Sequence, residues 1–218
     1  MLYWSPMIIT GYGHQFFKIQ LGDLVIAFNP ISKESKLNGS RFGADIALLS
    51  INTAETNGID QLSFGEKKPF VISGPGEYEI KDVFIKGFAG GKNKEGKLNT
   101  IYFVSLEGMS TCFLGALPSK DDISTDAKSA LESVDILFVP IGGDEVLTAS
   151  EAYKLAVSIE PKIMIPMHYG DDSLGKAALK AFIKEGEGGE ELEKLTLKKK
   201  DLEGKDGDII VLATDARH

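Results

Sequence analysis

Histidine is scarce in this 218-residue chain, with only His14, His168 and His218. A catalytic zinc needs about three protein ligands and keeps one position open. The single cysteine, Cys112, rules out an intrachain disulfide and any cysteine-rich zinc site. Metal chemistry would therefore rest on His14 in "GYGHQ", His168 in "MIPMHYG" and a few carboxylates. His218 is the last residue of the sequence, where order is least expected.

Two carboxylates come into question. Glu55 lies in "LLSINTAETNG" (48–58), where an apolar run from Asp45 to Ser50 gives way to small polar residues. Strand ends of this kind present loops to solvent and often carry function, yet this loop has no His, Cys or Lys. Glu77 follows the turn Gly74-Pro75-Gly76, from which it could orient a histidine or pair with a surface lysine. Asp171 and Asp172 read as an N-cap for a helix beginning near Ser173. Ser50 with His168 would make a hydrolytic dyad only with an orienting acid, and none is evident. The chain has no Gly-x-Ser-x-Gly elbow, P-loop or dinucleotide fingerprint.

A formal net charge of −8, with no basic stripe to offset it, argues against nucleic-acid partners. Lys198-Lys199-Lys200 is short, bordered by acids and read as solvated surface. No segment approaches 18 apolar residues and the N-terminus lacks a leader pattern, so a cytoplasmic protein without membrane contact is expected.

The elements that must position these residues read as strands first, helices later. Strands are expected at Met7–Thr10, Phe16–Gln20, Leu24–Phe28, Asp45–Ser50 and Pro69–Ile72, then at Tyr78–Lys86, Thr100–Leu106 and Ser110–Leu114. Cys112 falls inside the last of these, as a small buried hydrophobe. The glycine- and lysine-rich stretch 87–97 reads as a mobile hairpin loop, and "GEGGEE" (186–191) as a flexible acidic loop.

Helices are expected at Ser124–Val134, after the capping box Thr148-Ala-Ser-Glu151, and around Leu174, Ala177, Ala178, Ala181 and Phe182. Buried strands follow the first two helices at Asp135–Val139 and Lys162–Pro166, and 208–213 returns to the sheet. An internal echo pairs "IQLGDLVIAFNP" and "ADIALLS" with "VSLEGMSTCFLG" and "VDILFVP", as if two similar halves pack face to face.

Three segments, "ITGYGHQFFKI" with "VIAFNP", "VISGPGEYEIKDVFIKGF" and "VDILFVPIGGDEVLTASEAYKLAVSIEPKIMIPMHYG", resemble the metallo-β-lactamase-like hydrolases, nearest to their small metal-dependent hydrolase branch. The resemblance covers nearly the whole chain and implies one domain over residues 1–218. It also implies a four-layer αββα sandwich of two mixed sheets, with the site at the edge where strand-end loops converge.

In active relatives the strand matching Asp45–Ser50 is followed by His-x-His-x-Asp-His, whose donors hold two zinc ions that generate hydroxide. Here Ile51, Thr53, Glu55 and Thr56 stand at those positions. Ala116 stands where a Gly-Asp-Thr signature supplies a bridging carboxylate, and Asn29-Pro30 replaces an Asp-Pro strand end. Of the family's ligands only the closing His168 is kept. A pseudoenzyme is therefore expected, with no cofactor. Its cleft, lined by His14, Asn29, Asn52, Thr53, Glu55, Thr56, Asn57, Glu77 and His168, would take a small polar ligand or a protein partner. Two alternatives stay open: a hydrolase of an ester, amide or phosphodiester using an irregular or single metal on His168 and Glu55, and an assembly subunit, such as a homo-oligomer.

Overall fold

The computed structural model describes residues 5–170 and 172–214, so Asp171 and His218 lie outside the described residues. The first half supplies β1 (Met7–Gly11), β2 (Phe17–Leu21), β3 (Leu24–Phe28), β4 (Ile46–Leu48) and β5 (Phe70–Ile72). It continues with β6 (Gly76–Ile80), β7 (Val83–Lys92), β8 (Leu98–Leu106) and β9 (Met109–Phe113). Helices and strands then alternate: α1 (Thr125–Leu131), β10 (Ile136–Pro140), α2 (Ala149–Ile159), β11 (Ile163–Met167) and α3 (Ser173–Glu185). The chain closes with β12 (Glu190–Leu192), β13 (Leu195–Leu197) and β14 (Asp208–Leu212).

These strands form two mixed sheets, ordered β13-β1-β2-β3-β4-β5 and β12-β14-β11-β10-β9-β8-β7-β6. Between them lies the main core, where Phe17, Phe28, Phe113 and Phe138 contact one another from both sheets. A second core fills the space between the outer face of the larger sheet and all three α-helices. The outer face of the smaller sheet is covered differently. Tyr12, Phe16, Ala27, Ala47 and Leu62 pack there under loops and one 3-10 turn, Ile59–Gln61. The expected sandwich is thus present, with one helical layer thinned to a turn among the described residues.

The internal echo is structural. In each half a hairpin is followed by a strand that adds parallel to it, β2-β3-β4 in one and β8-β9-β10 in the other. An aspartate opens the third strand each time and clamps the second residue of the hairpin's return strand. Val25 N donates to Asp45 Oδ2 at 2.9 Å, and Asp45 N donates back to Val25 O at 2.8 Å. Ser110 N donates to Asp135 Oδ2 at 2.8 Å, and Asp135 N returns to Ser110 O at 2.9 Å. Burial opposes the charge on Asp45, but Lys67 at 2.8 Å, Lys81 at 2.5 Å and the Val25 N–H outweigh it and keep the carboxyl below its ordinary pKa. Such pairing is what lets a carboxylate sit inside a sheet edge ionised.

Helix boundaries follow their caps. Thr148 and Glu151 form the capping box expected for α2, Ser124 caps α1, and Asp172 caps α3 through Gly175 N at 2.8 Å. The first helix is shorter than expected, and Leu174 is exposed rather than core-facing because it lies in the first turn of α3 beyond the packed face. Three strand readings need correction. Tyr78–Lys86 is a hairpin, not one strand, because Lys81 and Asp82 both adopt positive φ and reverse the chain. The stretch 87–97 is mostly strand, with only 93–97 turning. Its glycines allow close approach: a Cβ on Gly87 would lie 2.9 Å from Gly74 O, and one on Gly90 2.7 Å from the Ile101 side chain. The acidic loop 186–191 ends in β12, which pairs parallel with β14.

Candidate functional site

The parallel strands β4, β10 and β11 all end at one edge of the sandwich, the place where open α/β sheets bind ligands. A cavity of about 210 Å³ opens there. His14 and Gln15 reach it from the β1–β2 turn, Ile51, Thr53 and Glu55 from the loop after β4, and Asn93 from the β7–β8 turn. Ala116 follows β9, Glu145 follows β10, and His168 follows β11. The echo orders this lining, since the turns carrying His14 and Asn93, and the loops carrying Glu55 and Glu145, belong to corresponding positions in the two halves.

Three residues at this edge, His14, Asn29 and His168, adopt positive φ of 54, 46 and 58°. Left-handed backbone in residues other than glycine costs energy and persists only where surrounding contacts enforce it. The two histidines are tied by their backbones, His168 N donating to His14 O at 2.7 Å. Their rings lie 4.5 Å apart between centroids, tilted by 45°. Nδ1 of each ring is sealed from solvent and has no hydrogen-bond partner in the protein. Burial, reinforced by the neighbouring His14, pushes the His168 pKa down to about 3. Burial also lowers the pKa of His14, against the opposing pull of Glu55. Both rings are neutral at physiological pH.

That neutrality has a sign. A histidine with a folded pKa near 3 and an ordinary value of 6.5 binds its proton only in the unfolded chain between those limits. Stability is then full above pH 6.5 and falls as pH drops towards 3, by about 1.4 kcal/mol per pH unit for one such proton. Urea unfolding from pH 6.5 to 4.5 is expected to depend less steeply on pH in His168→Gln than in the wild type, with the remaining slope belonging to His14. Equal slopes in the two proteins would place the effect elsewhere.

Behind the cavity the strand ends are closed by amides and hydroxyls. Asn29, completely buried, donates from Nδ2 to Gln15 Oε1 at 3.0 Å and to Ser50 Oγ at 2.7 Å, and its Oδ1 accepts from Ser50 N at 2.7 Å. Asn99 does the same for the other half. It donates to Gly90 O and Leu114 O, and accepts from Ala116 N at 2.8 Å. In front of this plug Ile51, Ala116 and Val146 form a small buried apolar cluster.

The site residues expected from sequence divide three ways. His14, Thr53, Glu55 and His168 share the cavity. Asn52 and Asn57, with Thr53, line a neighbouring polar hollow, and Asn57 Nδ2 donates to Asn52 Oδ1 at 2.6 Å. Asn29 and Thr56 are structural. The Thr56 hydroxyl is buried, donates to Ile51 O and accepts from Thr53 N at 3.2 Å. Glu77, expected at the cleft, is on β6, exposed, and pairs with Lys86 across the hairpin at 2.9 Å. Ser50 is spent on Asn29 and does not reach the cavity, so no Ser–His dyad forms. Gln15, Asn93 and Glu145 escaped the sequence reading. An echo extended one strand back, so as to pair the β7–β8 turn with the β1–β2 turn, is the signal that could have pointed towards Asn93.

No three His, Cys, Asp or Glu side chains among the described residues converge to hold a metal ion. Cys112 is buried and unreactive, its thiol pushed far up by burial. None of the described helices is long and apolar enough to cross a membrane.

Comparison with known proteins gives consistent relatives. A family profile described as a beta-lactamase superfamily domain matches residues 8–168. A UPF0173 metal-dependent hydrolase of Natranaerobius thermophilus is 25% identical over 181 residues, covering 72% of this chain and 81% of that protein. A proposed Zn-dependent hydrolase of the metallo-β-lactamase superfamily from Thermotoga maritima superposes with a TM-score of 0.75 at 25% identity, over 94% of this chain and 98% of its own. The metallo hydrolase Igni18 of Ignicoccus hospitalis shares the fold, with a TM-score of 0.66 at 14% identity over 96% of each chain.

Proposed function

Because this chain belongs to the beta-lactamase superfamily domain family of metallo-β-lactamase-fold, metal-dependent hydrolases, we propose that it is a member whose strand-end cavity binds a small polar ligand instead of activating water on zinc. The observation that carries this reading is the apolar cluster of Ile51, Ala116 and Val146. Two of its three members stand where the resemblance places a zinc ligand and the bridging carboxylate. Aliphatic side chains packed together there leave no donor and no room for one.

The donor set does not fit a pair of zinc ions. Thr56 and Thr53 spend their hydroxyls on each other and on the loop backbone. Asn29, in place of the strand-end aspartate, is consumed by the plug. His14, His168 and Glu55 are the donors that remain in the cavity, and no three His, Cys, Asp or Glu side chains among the described residues converge on one point. What remains is a preformed polar cavity on rigid strand ends, suited to binding.

The test is a panel of phosphodiester, ester, amide and lactam substrates, assayed with metal-depleted and zinc-supplemented protein. No zinc-dependent turnover is expected, and His168→Ala should match the wild type. Turnover that appears with zinc and disappears in His168→Ala would instead favour a hydrolase with an irregular or single metal. That second reading draws on one fact, that His14, Glu55 and His168 line the same cavity. Self-association is a separate question for light scattering, prompted by Phe70 on the edge strand β5 and Phe64 in the segment before it, 52% and 77% exposed.

A further inference from the structure

Resting on that reading, the cavity's lining also speaks to the ligand's charge. Two carboxylates border it, Glu55 and Glu145, brought by corresponding loops of the two halves. No lysine or arginine lines it. The nearest base is Lys94, which lies 3.9 Å from Glu145 but makes its closer contact, 2.8 Å, with the exposed Asp144 outside the lining. The remaining polar groups, Gln15, Thr53, Asn93 and the two imidazoles, carry no formal positive charge. An anionic ligand entering here would meet two carboxylates in the lining, with Lys94 outside it and turned mainly to Asp144, so like-charge repulsion disfavours an anion.

Shape adds a second constraint. One wall is aliphatic, from Ile51 and Ala116, while the carboxylates stand on opposing loops. His14 and His168 add two imidazole rings to the lining. Such a cavity suits a compact cation with several N–H donors on a short apolar body. We propose that the cavity between His14, His168, Glu55 and Glu145 recognises a small organic cation, a primary amine or guanidinium, and rejects the carboxylate of the same shape.

The experiment uses the full chain and three probes: agmatine, n-butylamine and butyrate. Each is titrated against isotope-labelled protein while the backbone amides of Thr53, Glu55, Glu145 and His168 are followed by NMR. Agmatine and n-butylamine are expected to give saturable shifts confined to those loops, and butyrate none. Glu55→Gln with Glu145→Gln should weaken agmatine binding by roughly tenfold or more. Both residues lie on loops and no hydrogen bond of the core depends on them, so the double variant is expected to melt like the wild type. Butyrate binding as well as n-butylamine, amine binding unaffected by the double substitution, or no binding by either amine would each overturn the proposed ligand class. None of those results touches the non-hydrolytic reading, which falls only if zinc supports turnover.

Discussion

Asn29→Ala is expected to lower the unfolding free energy by about 3–5 kcal/mol. The substitution removes three hydrogen bonds at once in a site with no solvent access. Gln15 Oε1 loses its donor, Ser50 N loses its acceptor, and the Ser50 hydroxyl loses the amide it meets. Each buried group left unpaired costs about 1–3 kcal/mol, more than the bond was worth when made. Alanine must also take up the positive φ of 46° at this position, adding about 1 kcal/mol or more. Asn29→Gly separates the two causes. It deletes the same bonds but tolerates the backbone, so it should recover about 1 kcal/mol relative to alanine. Urea denaturation of the three proteins measures this directly. If alanine and glycine both unfold like the wild type, the polar plug does not hold the strand ends and the cavity floor needs another explanation.

Gly142→Ala is expected to be nearly as damaging, by about 3 kcal/mol, and to dislodge His168. A Cβ on Gly142 would sit 2.1 Å from the His168 carbonyl oxygen. Neither side can yield easily. Ile141 N, just before the glycine, donates to Met167 O at 3.0 Å, and His168 N is held by His14 O at 2.7 Å. Any shift that relieves the clash therefore moves the histidine pair itself. The neighbouring Gly143→Ala is the control, because its Cβ would meet nothing within 4 Å and its cost is only that of a positive φ, about 1 kcal/mol. Calorimetric melting should rank wild type, Gly143→Ala and Gly142→Ala in that order. In Gly142→Ala the acid-dependent loss of stability assigned to His168 should shrink as the ring leaves its buried seat. Two alanine variants of equal stability would mean that the loop after β10 does not position His168.

The fold was legible where local chemistry and tertiary packing agree. Asp45 and Asp135, each opening an apolar run after a hairpin, marked the two halves, and the structure shows why: each carboxylate clamps the return strand of its hairpin. The capping box at Thr148 located the start of α2 from a few residues, because helix ends are set by local hydrogen bonding. Glycine misled. The stretch 87–92 looked like a loop since glycine is poor in strands, yet Gly87 and Gly90 are there because neighbouring chains come too close for a Cβ. The short strands β12 (Glu-Glu-Leu) and β13 (Leu-Thr-Leu) have three residues each, too few to stand out as a pattern, and are held by their partners β14 and β1.

The candidate site was legible in the same uneven way. His14, Glu55 and His168 were drawn together by the resemblance, and they do share a cavity. Glu77 was misplaced because a Gly-Pro-Gly-Glu turn reads the same whether it faces a cleft or, as here, starts an edge hairpin. Glu145 and Asn93 had no local signal, since what brings them to the cavity is the packing of one half against the other. Asn29 was read as a cleft residue, whereas its side chain points into the plug and holds the strand ends from behind. The identity of a buried amide's partners is a property of the assembled structure.

The central claim is that the strand-end donors of this chain no longer hold the two zinc ions that the family's chemistry uses. Its most direct test is equilibrium dialysis of metal-depleted protein against buffered zinc, with bound metal measured by elemental analysis. The wild type is expected to retain no more zinc than a His14→Ala, His168→Ala double variant. Two equivalents held by the wild type and lost from that variant would contradict the account.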